Sequence, residues 1–293
     1  MVRVASPPPR PDLHALSAGI IAAILLLSVA ARPAAAECGA PDAPCPVSSG
    51  QYFAAAPPWQ PDDQPRGAVL FLHGAGGSGE AVVANADLAG PVIGRGFVLL
   101  APSGSPREGR EGRFWSLGAQ APVRDEAAFL DEVMADAVDR FHLDRSQVVL
   151  AGFSMGAGLV WQLACREPDA FAAFAPVAGA FWRGRPASCA GPVRILLTHG
   201  WRDDAVPLEG EDRGDGVESA AFEGAELWRQ INDCADAHAA SYADMGEFWQ
   251  RTWTGCAPGS ALTFVLHPDG HEVPAGWADM ALDWFESLTP PSH

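Results

Sequence analysis

A chain of 293 residues with 48% hydrophobic content is long enough to bury one sizeable core, and open sheets of this length commonly form one domain. Its formal net charge of -17 and pI near 4.7 argue against a polyanion, so neither nucleic acid nor an anionic membrane surface is expected as a partner. Every basic side chain is Arg and none is Lys.

The N-terminus carries Arg3 and Arg10, then an apolar run from Ala18 to Ala31, then Ala34, Ala35 and Ala36 ahead of Glu37. That order of charge, apolar run and small residues reads as a cleaved signal peptide over residues 1–36. The run falls short of the roughly 20 residues a membrane span needs. The expectation is an exported protein, secreted or periplasmic, with no stable membrane association after cleavage and a single catalytic domain over 37–293.

From Ala40 to Pro65 the chain is rich in Pro, Ala and Asp, with a short strand at Gln51–Ala54, which suggests a segment lying on the surface. Apolar, β-branched runs then recur at 68–72, 97–100, 147–150, 193–198 and 262–266. Helical patterns separate them at 125–141, 156–166, 220–231 and 275–288. Strand and helix in alternation predict an α/β fold, a mainly parallel central sheet with helices on both faces. In such a sheet, functional groups gather in the loops that leave the carboxyl ends of the strands. His73 with a glycine cluster, Ser154, Asp203 and His271 all lie in such loops, so they should meet on one edge.

The same geometry pairs the cysteines. An even count of six in an exported chain points to disulfides, though six allow 15 connectivities. The helix after Ser154 descends, leaving Cys165 about 16 Å below it. Cys189 precedes the next ascending strand and belongs at that lower edge. Cys234 ends a descending helix and Cys256 precedes an ascending strand. The predicted pairs are Cys165 with Cys189, Cys234 with Cys256 and, by elimination, Cys38 with Cys45.

Gly152-Phe153-Ser154-Met155-Gly156 is a Gly-x-Ser-x-Gly pattern, weak alone but strong in context. A buried strand, Val148 to Ala151, precedes it and a helix opens after it, which is the setting of a nucleophile elbow. Glycines at 152 and 156 suit a strained turn that brings backbone segments close. A serine hydroxyl attacks only when a base takes its proton, and that base needs a carboxylate to fix its tautomer. Asp203 and His271 follow Ser154 in the required order, with Asp204 as rival acid and His267 as rival histidine. Oxyanion donors are expected from the N–H groups of Met155 and Ala75, the latter in the loop His73-Gly74-Ala75-Gly76-Gly77-Ser78-Gly79.

Gly74 to Gly79 spells Gly-x-Gly-x-x-Gly after a strand, the pattern of an NAD-dependent oxidoreductase, but the next strand ends Ala101-Pro102-Ser103 without the ribose-binding acid. His267 and His271 have the spacing of a zinc pair, yet Pro268 and Gly270 dictate a loop rather than a helix, so no metal is expected. The acidic stretch Glu209 to Glu218 lacks the spacing of a calcium loop. Trp115 and Trp201, placed in edge loops, are candidate substrate contacts together with His73; Trp161 and Trp182 suit the core. A non-catalytic binding protein on the same fold would have lost a member of the triad, and none is missing.

Taken together, His73-Gly74, the Ser154 turn, His199-Gly200-Trp201-Arg202-Asp203 with Val206-Pro207, and Gly270-His271 resemble the secreted polyhydroxybutyrate depolymerase and feruloyl esterase-like family. The resemblance covers Ala68 to the C-terminus. It implies the α/β-hydrolase fold, hydrolysis of carboxylic esters without a cofactor, a small-molecule or oligomeric ester as substrate, and Asp203 rather than Asp204 as the acid. Relatives often continue after the histidine with Trp-Pro; here Glu272-Val273-Pro274 follows, so the pocket wall should differ. The chain ends just after its last helix, which favours soluble esters or short oligomers over solid polymer.

Overall fold

The computed structural model describes Met1 and residues 38–40, 43–58, 64–117, 123–182, 184–212, 217–218, 220–235 and 238–288. The predicted signal peptide lies outside the described residues, apart from Met1.

Strands β1 (Cys45–Val47), β2 (Gly50–Ala55), β3 (Arg66–Leu72), β4 (Val98–Pro102), β7 (Leu143–Phe153), β8 (Ala173–Val177), β9 (Arg194–Gly200), β12 (Ser241–Met245), β13 (Phe248–Trp253) and β14 (Ala261–His267) build a ten-stranded sheet in the order β1-β2-β4-β3-β7-β8-β9-β14-β13-β12. The six strands from β4 to β14 in that order run parallel, and an antiparallel pair closes each end. Two small hairpins stand apart: β5 (Ser105–Arg107) with β6 (Arg110–Phe114), and β10 (Glu211–Asp212) with β11 (Val217–Glu218).

The helices are α1 (Gly79–Ala84), α2 (Ala86–Gly94), α3 (Glu126–Phe141), α4 (Met155–Arg166), α5 (Ala221–Ile231) and α6 (Trp277–Leu288). Successive residues of a strand face opposite sides, and the core divides accordingly. Leu70, Leu150 and Phe264 pack with Phe129 of α3, Val160 of α4 and Trp228 of α5. Phe71, Val149 and Val265 pack on the other face with Val82 of α1, Leu88 of α2 and Phe285 of α6. The central strands are buried on both faces, so they read in the sequence as continuous apolar runs.

Two expectations about this frame need correction. The segment before residue 65 does not merely lie on the surface: β2 pairs antiparallel with β4, and Tyr52, Phe53 and Ala54 are buried. The edge of an open sheet leaves unpaired backbone groups, and β2 covers that of β4. β8 has no counterpart among the predicted runs, nor has the β12–β13 hairpin. The disulfides join Cys38 to Cys45, Cys165 to Cys189 and Cys234 to Cys256. The last closes the base of the β12–β13 excursion, bringing the end of α5 and the approach to β14 to 3.8 Å between Cα atoms.

Candidate active site

β3, β7, β9 and β14 deliver their following loops to one edge of the sheet. Ser154 occupies the turn between β7 and α4 at φ 54 and ψ -119. That backbone region is costly for a residue with a Cβ, and such strain persists only where the surroundings impose it. They do so here: a Cβ on Gly152 would come within 2.8 Å of the Gly156 carbonyl carbon, and one on Gly156 would overlap the Leu72 carbonyl of β3. The Ser154 N–H donates to the Val177 carbonyl of β8 at 3.0 Å, tying the turn to the sheet.

Ser154 Oγ lies 2.8 Å from His271 Nε2, and His271 Nδ1 lies 2.8 Å from Asp203 Oδ2. A carboxylate only accepts, so the proton sits on Nδ1 and leaves Nε2 free to accept from the serine. The other Asp203 oxygen accepts from the N–H groups of Ala205 at 3.0 Å and Val206 at 2.7 Å. Burial pushes Asp203 up, but its hydrogen bonds from His271 and the Val206 N–H outweigh that and hold it below the usual carboxylate range. Asp204 faces solvent. His271 is partly exposed and packs on the Phe153 ring at 4.8 Å between centroids.

His199 and His267 lie behind this row. His199 donates from Nε2 to the Val206 carbonyl at 2.8 Å, and burial lowers its pKa. His267 is fully buried, with no hydrogen-bond partner on either nitrogen among the described residues; burial lowers its pKa too, and the Asp269 carboxylate stands 3.9 Å from its Nδ1. Neither reaches the serine.

The loop after β3 is held from beneath. The Gly74 carbonyl accepts from the Gly77 N–H at 3.1 Å and from His73 Nδ1 at 2.7 Å, while His73 Nε2 accepts from the Gly104 N–H at 3.0 Å. Gly76 N–H is committed to the Arg113 carbonyl at 2.9 Å. The Ala75 N–H belongs to the same planar peptide as the Gly74 carbonyl and points the opposite way. The Met155 N–H, first in α4, has no carbonyl one turn back to receive it.

One expected substrate contact, Trp115, does not reach the surface. Trp115 is fully buried; its indole N–H donates to the His73 carbonyl at 2.8 Å, and its ring lies 4.9 Å from that of His73. The β5–β6 hairpin folds it inward, so it supports the loop from within. His73 is itself only 3% exposed, and its ring nitrogens are taken up by backbone groups. Trp201 stays in the open, 58% exposed. His73 lines a cavity of about 160 Å³ beside Gly74 together with Phe153, Val273 and three residues not singled out in the sequence, Ala81, Val82 and Leu88. Phe153 adjoins the serine, and Val273 stands where the chain departs from Trp-Pro after the histidine; these are the signals that point to them.

Comparison with known proteins agrees with this frame. Residues 67–207 match the sequence model of the alpha/beta hydrolase fold. The chain is 28% identical over 152 residues to a probable feruloyl esterase C of Aspergillus niger, spanning 50% of each chain. It is 26% identical over 236 residues, 77% of each, to a feruloyl esterase C of Emericella nidulans. Among solved structures, an acetyl xylan esterase from Aspergillus awamori superposes with a TM-score of 0.61 over 82% of this chain and 94% of that one, at 16% identity. A Bacillus cereus carboxylesterase does so at 0.54, covering 83% and 96%, also at 16% identity. At those identities the structural likeness speaks to the fold alone.

Proposed function

We propose that the chain, with its α/β-hydrolase fold, is a carboxylic ester hydrolase that works through Ser154, His271 and Asp203 by way of an acyl-enzyme. The observation that carries this reading is the unbroken row from Ser154 Oγ through the His271 ring to Asp203, with 2.8 Å at each junction. Ser154 Oγ attacks the ester carbonyl carbon as its proton passes to His271 Nε2. The carbonyl oxygen, now negative, accepts from the Met155 and Ala75 N–H groups. The C–O bond to the alcohol breaks, and the leaving oxygen takes the proton from His271. Water then repeats the sequence on the acyl-serine and releases the acid.

The cavity beside Gly74 is apolar and, at about 160 Å³, holds the volume of roughly five waters at ~30 Å³ each. It suits a short acyl arm of acetyl or hydroxybutyryl size better than a feruloyl group. Export through the N-terminal segment is part of the proposal; three disulfides support it.

Ser154→Ala should abolish hydrolysis of p-nitrophenyl acetate and labelling by a fluorophosphonate while leaving thermal unfolding nearly unchanged. Turnover by that variant would overturn the assignment of Ser154. A panel of acetyl, hydroxybutyryl and feruloyl esters tests the acyl arm; kcat/KM highest for feruloyl would rule out the short-arm reading.

A further inference from the structure

Asp203 is held from two directions. On the approach, the Asp203 N–H donates to the Gly200 carbonyl at 3.3 Å, the Trp201 N–H to the His267 carbonyl at 2.8 Å and the Arg202 N–H to the Asp269 carbonyl at 3.0 Å. A Cβ on Gly200 would overlap the Gly270 carbonyl oxygen, so the end of β9 lies flush against the turn that carries His271. Backbone bonds thus join the chain entering Asp203 to the chain entering His271.

The chain leaving Asp203 is held by a side chain. The Val206 N–H donates to Asp203 Oδ1 at 2.7 Å, and the Val206 carbonyl turns back toward β9 and meets His199 Nε2 at 2.8 Å. A carbonyl only accepts, so Nε2 carries the hydrogen. Asp203 Oδ2 stands 3.5 Å from that same nitrogen, beyond the usual N–H to O length of roughly 2.7–3.2 Å, whereas it lies 2.8 Å from His271 Nδ1. The hydrogen of His199 therefore goes to Val206, and Oδ2 is left to His271. Both side chains are buried, His199 at 2% exposure and Asp203 at 0%, so solvent cannot take over either bond.

We propose that His199 is a positioning residue for the ester hydrolysis: by holding the Val206 carbonyl it keeps the Val206 N–H on Asp203 Oδ1, and so keeps Oδ2 in line with His271. The inference rests on the triad reading, with Asp203 as the acid. His199, Asp203, Val206 and Pro207 then form one unit, in which Pro207 confines Val206 to extended backbone and the imidazole ties it back to the strand. Burial lowers the pKa of His199 and keeps its ring neutral, which leaves the negative charge of Asp203 to the imidazolium that forms on His271. A side chain without a donor at position 199 would strand the buried Val206 carbonyl, and the loop would shift to satisfy it.

Two variants of the full chain separate the ring from the hydrogen it donates. His199→Phe keeps a ring and loses the donor; His199→Gln loses the ring and keeps an amide N–H at similar reach. On p-nitrophenyl acetate, His199→Phe should lower kcat by about 100-fold, the cost of displacing a reacting group by roughly 1 Å, with KM little changed. His199→Gln should recover most of that loss, and it decides the question by itself should the Phe variant fail to fold. In an Asp203→Asn background, His199→Phe should add no more than about a twofold further loss, because the residue acts through the carboxylate. Wild-type kcat in His199→Phe, a Gln variant that has itself lost about 100-fold in kcat, or full additivity with Asp203→Asn overturns the inference. Failure of the triad reading would show separately. Asp203→Asn would then keep wild-type turnover, and the inference would fall with it; loss of turnover in Asp203→Asn beside wild-type kcat in His199→Phe removes the inference alone.

Discussion

The imidazole of His73 holds the Gly74 carbonyl with one nitrogen and the Gly104 N–H with the other, and Trp115 braces the His73 backbone from behind. A neutral ring with the proton on Nδ1 satisfies both bonds, and burial, aided by the charges of Arg113 and Arg124, keeps the ring neutral by lowering its pKa. Through the Gly74–Ala75 peptide plane, this side chain sets the direction of a proposed oxyanion donor. His73→Leu should therefore lower kcat about 100-fold, the scale of losing one such donor, with a much smaller change in KM. Steady-state kinetics on p-nitrophenyl acetate checks it; a rise in KM at constant kcat would mean that His73 contacts substrate instead. Both His73 and Trp115 are visible in the sequence as residues of edge loops. Their inward orientation is not, because it depends on the β5–β6 hairpin packing against a loop some 30 residues away in the chain, as in the Gly76 to Arg113 bond.

At the level of the element, the turn between β7 and α4 was the most legible part of the molecule. A β-branched run, two glycines four apart and an apolar helix follow one another without interruption, and each local preference agrees with the final structure. β8 was illegible for the converse reason. Ala173-Phe-Ala-Pro-Val177 has small residues and a proline, which donates no ladder bond, and it becomes a strand only because β7 and β9 lie on either side. The turn also yields a prediction. Gly156→Ala places a methyl group against the Leu72 carbonyl, and backbone of a central strand cannot give way. Unfolding free energy should fall by about 2–3 kcal/mol, with esterase activity lost as α4 shifts and takes Ser154 with it. Denaturant titration alongside activity would detect both, and a variant of wild-type stability would mean that α4 and β3 are looser than their packing indicates.

Across the whole molecule, three buried histidines, His73, His199 and His267, have pKa values lowered by burial. Above the unfolded value of about 6.5 both states are neutral; below it the unfolded chain takes up protons that the folded one refuses. Each such group then costs up to about 1.4 kcal/mol per pH unit until its folded pKa is reached. Asp203, held low in the fold, adds stability above about pH 4 that is lost as the pH falls further. Urea midpoints should accordingly decline from pH 6.5 downward. His267→Leu, which removes two unpartnered nitrogens, should make that decline shallower; an unchanged slope would mean that His267 is already protonated in the fold. The disulfides act on the same scale: replacing Cys234 and Cys256 together by Ser should cost about 3 kcal/mol, read from the shift in the urea midpoint.

That last bridge also makes the hairpin a cassette. Its two ends meet at 3.8 Å between Cα atoms, so whatever lies between them starts and finishes at one point of the frame. β12 lies at the outer edge and pairs with β13, so exchange of its exposed side chains leaves the β13–β14 pairing, and with it the approach to His271, in place. Selection, or an engineer, can rewrite this outer face while the strand that leads to His271 is kept.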